Sequence, residues 1–127
     1  MNIVLWILQV LLALAFVAHG WLLLAPPAHL IEAMNATMST EFRLFLGAAE
    51  VLAGIGLTLP GLTRILPWLV PSAAAGIMIV MIAATILHIQ RGENSSAVIT
   101  AVLLALATFV AYMRWKIRPI PPRAAAQ

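Results

Sequence analysis

From Ile3 to Leu24 the chain runs without a single Lys, Arg, Asp or Glu, and three further long apolar runs follow it. A helix rises about 1.5 Å per residue, so roughly 20 such residues cross about 30 Å of hydrocarbon. Inside a bilayer every backbone N–H and C=O needs a partner within the chain, which leaves helices as the solution for runs of this length. Four spans are predicted, over residues 3–24, 42–59, 71–90 and 97–113. The expected architecture is an all-α, integral membrane four-helix bundle. It forms a single domain over residues 1–127, with a short basic tail at 114–127. Composition agrees: 64% of residues are hydrophobic and 9% charged, where soluble domains carry about a quarter charged residues.

The rival for the first run is a cleaved signal peptide. The run has no Lys/Arg-rich start and exceeds the roughly 7–15 residues of a signal core, which favours a retained span. No cysteine is present, so the chain brings no disulfide, thiolate metal site or dithiol pair of its own. The basic excess rests on only seven Lys and Arg, clustered in the tail beside an apolar helix. That pattern reads as membrane topology and argues against nucleic acid as a partner.

Pro26-Pro27 ends the first span, and residues 28–41 read as a loop containing a short amphipathic piece around Leu30, Ile31 and Met34. The second span is expected to stop at Pro60-Gly61. Pro71 suits the first turn of the third, where its missing N–H costs little. Arg91-Gly92-Glu93-Asn94 reads as a polar turn, with Ser95 or Ser96 as N-cap of the fourth span. Arg114 and Lys116 are expected to snorkel to the interface beside Tyr112 and Trp115. With an even number of spans both termini share a side. Arg64, Arg114, Lys116, Arg118 and Arg123 lie there, against Arg43 and Arg91 opposite, which predicts cytoplasmic termini in a bacterial-type plasma membrane.

Small residues recur at helical spacing: Gly47 and Gly54, Ser72 and Gly76, and Ala97, Ala101, Ala105 and Thr108. Such faces let helices approach closely in lipid, where no hydrophobic force drives them together. Bundle packing is the simpler reading of these faces, ahead of a ligand groove.

Glu50 is the residue that most demands an explanation. It falls roughly 12 Å inside the second span, where a carboxyl facing lipid is costly and one facing the interior, a cavity or a partner is tolerated. Arg43, Gly47, Glu50, Gly54 and Leu57 share one stripe. A purely structural Glu50 would hydrogen-bond a neighbouring helix, through Thr85, Thr108 or a backbone carbonyl. A working one would be a ligand anchor or proton acceptor, with Arg43, His19 and His88 at the outward mouth of the bundle. For each histidine alone, a satisfied interfacial residue is the plainer reading. Paired histidines also ligate b-type haem, but no local motif supports it, and no metal site is expected. Phosphate-binding loops, nucleophile elbows and HExxH are all missing.

The stretch FRLFLGAAEVLAGIGLTLPGLTRILPWLVPSAAAGIMIVMIAATILHIQRGE, residues 42–93, resembles the DoxX-like family of small four-helix membrane proteins. The matching pattern is Arg, Gly, Glu, a Gly-rich exit to Pro, then a helix of small residues ending in His and a Gly-Glu turn. Here those positions are Arg43, Gly47, Glu50, Gly56, Leu57, Pro60, His88, Gly92 and Glu93. The first span, with LLALAFVAHGW, is similar more weakly, and His19 stands where a small residue is expected. Ala53-Gly54 replaces Gly-Ala, and Ala83-Ala84 stands where Gly-Ala is usual.

The resemblance implies the four-helix fold. It also implies membrane subunits associated with quinol oxidation and thiosulfate–quinone chemistry, and in other members with oxidative-stress complexes. On these grounds the leading expectation is an accessory subunit that binds a lipophilic small molecule such as a quinone. A small proton-coupled transporter using Glu50 and acting as a homo-oligomer is the second expectation. A purely structural subunit that recruits a redox partner protein is the third.

Overall fold

A computed structural model describes residues 1–124, and residues 125–127 of the expected tail lie outside the described residues. The described residues form five α-helices: α1 (Asn2–Leu24), α2 (Ala28–Thr37), α3 (Thr40–Thr63), α4 (Leu69–Gln90) and α5 (Asn94–Tyr112). A π-helical turn, Met113–Ile117, prolongs α5. Four helices are long and apolar enough to cross a membrane: α1, α3, α4 and α5 with its extension. The fold is therefore the all-α membrane four-helix bundle. Its outer surface is apolar, with Ile3, Leu14, Phe45, Leu52, Ile79 and Val98 all exposed. That surface requires lipid as its solvent.

The spans pack as two antiparallel pairs, α1 on α3 and α4 on α5, with a lighter contact between α3 and α4. Glycines set the α1–α3 separation. A Cβ built on Gly20 would lie 2.7 Å from the Gly47 carbonyl oxygen, and one on Gly47 would lie 2.8 Å from that of Gly20. Gly54 sits 2.9 Å, by the same measure, from the Ala13 carbonyl oxygen. The α4–α5 pair is tied across its interior by a 2.8 Å hydrogen bond between the Thr85 and Thr100 hydroxyls. A shared core of Leu12, Phe16, Leu57, Ile77, Met81 and Val110 joins the pairs.

Several boundaries differ from expectation. α3 continues through Pro60 to Thr63. In lipid the missing N–H leaves only the Gly56 carbonyl without its helical donor, which a packed helix tolerates. Residues 28–37, read as mostly loop, form α2. Pro27 starts it in extended conformation, and Met38, also extended, ends it before Ser39 caps α3 by accepting from Phe42 N–H at 3.2 Å. No α2 residue is buried, in keeping with a helix lying on the surface. α5 begins at Asn94, so its N-cap is Glu93 in place of either serine. The face Ala101, Ala105 and Thr108 points outward, and α5 instead buries Ala97, Ala107, Val110 and Ala111.

Arg114 departs furthest from expectation, since it turns into the bundle and is 3% exposed. In the π turn Arg118 N–H reaches the Met113 carbonyl at 2.6 Å, and the Arg114 side chain extends to Asn2 and Gln9 of α1. Beyond it, Arg123 N–H donates to the Arg64 carbonyl at 2.8 Å. The starts of α1 and α4, the end of α3 and the tail thus share one end of the bundle.

Candidate functional site

α3 buries Arg43, Gly47, Glu50, Gly54, Leu57 and Gly61 along one stripe. Glu50 is 3% exposed, and its Oε2 lies 2.6 Å from Nδ1 of His19 on α1. Because α3 begins at Thr40, the carboxyl lies about 15 Å inside the helix and nearer mid-span than the sequence suggested. Gly20 and Gly47 explain why the pair meets. The glycine-to-glycine approach brings the two backbones together next to His19 and one turn from Glu50, so a short carboxyl reaches the ring. The His19 ring is 57% exposed, so the pair links a buried acid to the bundle's outer surface.

Glu50 also lines a groove of about 610 Å³ between α3 and α4, floored by Phe16 of α1. Its walls are almost wholly apolar, among them Ala53, Gly56, Ala73 and Ile77. Glu50 and Ser72 supply polar side chains toward its two ends, and the Ser72 hydroxyl donates to the Trp68 carbonyl at 2.8 Å. Gly76 opens the groove: a Cβ built there would meet nothing within 4 Å. Gly56 does the reverse. Its missing Cβ lets Ala73 approach to 2.9 Å of where that atom would stand, which holds α3 and α4 together beside the groove.

The other expected residues sit elsewhere. Arg43 is buried and donates through Nη1 to the Leu23 carbonyl, so its charge caps the negative end of α1. His88 pairs with Glu93, Nδ1 to Oε2 at 2.5 Å, across the α4–α5 turn. Gly92 takes a left-handed φ of 71° there and makes the turn possible. His88 is thus engaged in the turn and not with Glu50. Thr85 bonds Thr100 and Thr108 bonds the Leu104 carbonyl, so neither partners Glu50. Among the described residues no group of three His, Cys, Asp or Glu is placed to hold a metal ion.

The family model of the DoxX-like family matches residues 7–110. The chain belongs to the DoxX-like family. Comparison with curated proteins and with solved structures returned no match. The family match spans all four membrane helices, including the weakly similar first one, and ends before the π turn.

Sequence reasoning passed over a second buried polar group. Gln9 of α1 is fully buried; its Nε2 donates to the Leu57 carbonyl at 2.7 Å and its Oε1 accepts from Arg114 Nε at 2.5 Å. The signal was available, since a lone amide in the middle of an apolar span needs a partner just as a carboxyl does.

Proposed function

We propose that this DoxX-like protein binds a lipophilic small molecule in the groove between α3 and α4, a quinone being the class its groups suit best. One observation carries the reading: an apolar groove ends at a buried carboxyl whose other neighbour is a part-exposed imidazole 2.6 Å away. A ring with carbonyl groups needs apolar walls and few polar partners, and the groove offers that balance. The Glu50–His19 pair holds a proton at the carboxyl or the ring. When protonated, Glu50 donates to a carbonyl in the groove; when ionised, it accepts from a hydroxyl. His19 lies about 8 Å from the outward end of α1 and passes that proton toward the headgroup region. A bound quinone supplies the redox chemistry, and the chain supplies position and proton.

The termini are assigned to the cytoplasm of a bacterial-type plasma membrane. Arg64, Arg114, Lys116, Arg118 and Arg123 share one end, against Arg43 and Arg91 at the other. A second reading, proton-coupled transport, rests on the pairing of the buried acid with a ring about 8 Å from the outward end of α1. An organic extract of protein purified in mild detergent tests the first reading. Quinone in stoichiometric amount, reduced in Glu50→Gln and lost in Gly76→Leu, is expected. An extract without quinone, alongside proton flux in vesicles abolished by Glu50→Gln, would transfer the assignment to transport.

A further inference from the structure

The end of the bundle opposite the Glu50–His19 pair carries a concentration of positive charge that no acidic side chain among the described residues neutralises. Arg64, Arg114, Lys116, Arg118 and Arg123 gather there, whereas all four acidic residues, Glu32, Glu41, Glu50 and Glu93, lie elsewhere. Arg114 is the unusual member. It is 3% exposed, makes hydrogen bonds only to neutral oxygens among the described residues, and stacks 5.3 Å from the Trp6 ring. Those oxygens belong to Gln9, Asn2 and the Arg118 backbone, and Nη2 is buried with no partner.

A buried guanidinium normally has an anion beside it, because a charge taken out of water is costly unless it is paired. Arg43, the other buried arginine, sits at the negative carbonyl end of α1, although its Nε too is buried without a partner among the described residues. At the end that holds Arg114 the close of α3 supplies partial negative charge, but the starts of α1 and α4 supply the opposite sign and several whole cations share that end. Beside Arg114 lies a recess of about 530 Å³ lined by Arg64 and Arg118 together with Asn2 and Trp6. Leu62, also on its wall, is exposed toward the apolar belt. Three arginines therefore line one recess at the membrane boundary; Arg64 also donates to the Pro122 carbonyl at 3.4 Å, and Arg114 holds a buried donor without a partner among the described residues. Basic recesses at helix ends are the sites that hold anionic headgroups, and planar guanidinium forks match phosphate oxygens in pairs.

We propose that the recess formed by Arg64, Arg114 and Arg118 binds a phosphate group, carried by an anionic lipid headgroup or by a free phosphate ion, which supplies the missing counter-charge of Arg114. The site is separate from the α3–α4 groove and stands whether or not a quinone binds there.

The test uses the full chain in nanodiscs of phosphatidylcholine with graded phosphatidylglycerol, followed by lipid analysis of the protein after extraction into mild detergent. Retention of phosphatidylglycerol over phosphatidylcholine is expected, with a rise in melting temperature on adding it. Arg64→Gln and Arg118→Gln should each weaken retention about fivefold, from the share that one cation contributes at a membrane surface. Arg91→Gln, an exposed cation at the other end, should leave retention unchanged. Inorganic phosphate added to lipid-depleted protein separates the two sources. Stabilisation by phosphate alone, lost in the same two variants, assigns the site to the free ion; stabilisation only by the anionic lipid assigns it to the headgroup. Equal retention of both lipids with no phosphate effect, or full retention by both variants, would overturn the proposal.

Discussion

Replacing Gln9 by Leu keeps the side-chain volume but removes the bridge between three elements. Two bonds disappear, the 2.7 Å donation to the Leu57 carbonyl and the 2.5 Å bond from Arg114 Nε. The first joins neutral groups inside a membrane bundle and contributes about 0.6 kcal/mol. The second has a charged donor and contributes roughly 1.5–3 kcal/mol. Arg114 would then hold Nε as well as Nη2 buried without partners. The expected loss is about 2–4 kcal/mol in all. Reversible unfolding in mixed micelles, followed by far-UV circular dichroism, measures it. A double-mutant cycle with Arg114→Met isolates the shared bond. Once the charge is gone Gln9 loses its main task, so the double variant should be more stable than the summed single losses by about 1–3 kcal/mol. A coupling below about 0.5 kcal/mol would show that the two side chains do not share a bond, and the polar link between α1 and the π turn would have to be abandoned.

Three further outcomes are expected. Gly47→Ala and Gly54→Ala, whose new Cβ atoms would fall 2.8 Å and 2.5 Å from their nearest α1 atoms, should each cost about 1–3 kcal/mol in the same unfolding assay. Gly76→Ala meets nothing within 4 Å, so its melting temperature should stay level or rise slightly, the helix gaining up to about 1 kcal/mol; a marked loss would mean that the groove closes in the membrane. Ser39→Ala removes the oxygen that accepts from Phe42 N–H and should destabilise by about 1 kcal/mol. Hydrogen exchange confined to the first turn of α3 would report it.

The stripe Arg43, Gly47, Glu50, Gly54, Leu57 was legible in the sequence and is the buried face of α3, because helical periodicity alone fixes which residues share a face. The number and placement of the spans were legible for the same reason, through length and apolarity. Partners were not. Glu50 finds its neighbour thirty-one positions away in His19, and nothing in either local sequence encodes the register in which α1 meets α3. Pro60 misled because its usual effect in water, breaking a helix, is overridden where the backbone has no water to turn to. The alanines of α5 misled because small residues on a membrane helix suit lipid as well as another helix. Arg114 misled because its place near a helix end suggested an interfacial cation, while the π turn that redirects it leaves no sequence signature.

The lighter seam between the α1–α3 and α4–α5 pairs has an evolutionary consequence. Each pair owns its internal fastenings: glycine contacts and the Gln9–Leu57 bond in one, the threonine pair in the other. The groove walls, by contrast, face each other across the seam, and positions such as Gly76 and Leu52 hold neither pair together. A lineage could therefore remodel what enters the cleft, one wall residue at a time, without renegotiating the two hairpins that insert into the membrane.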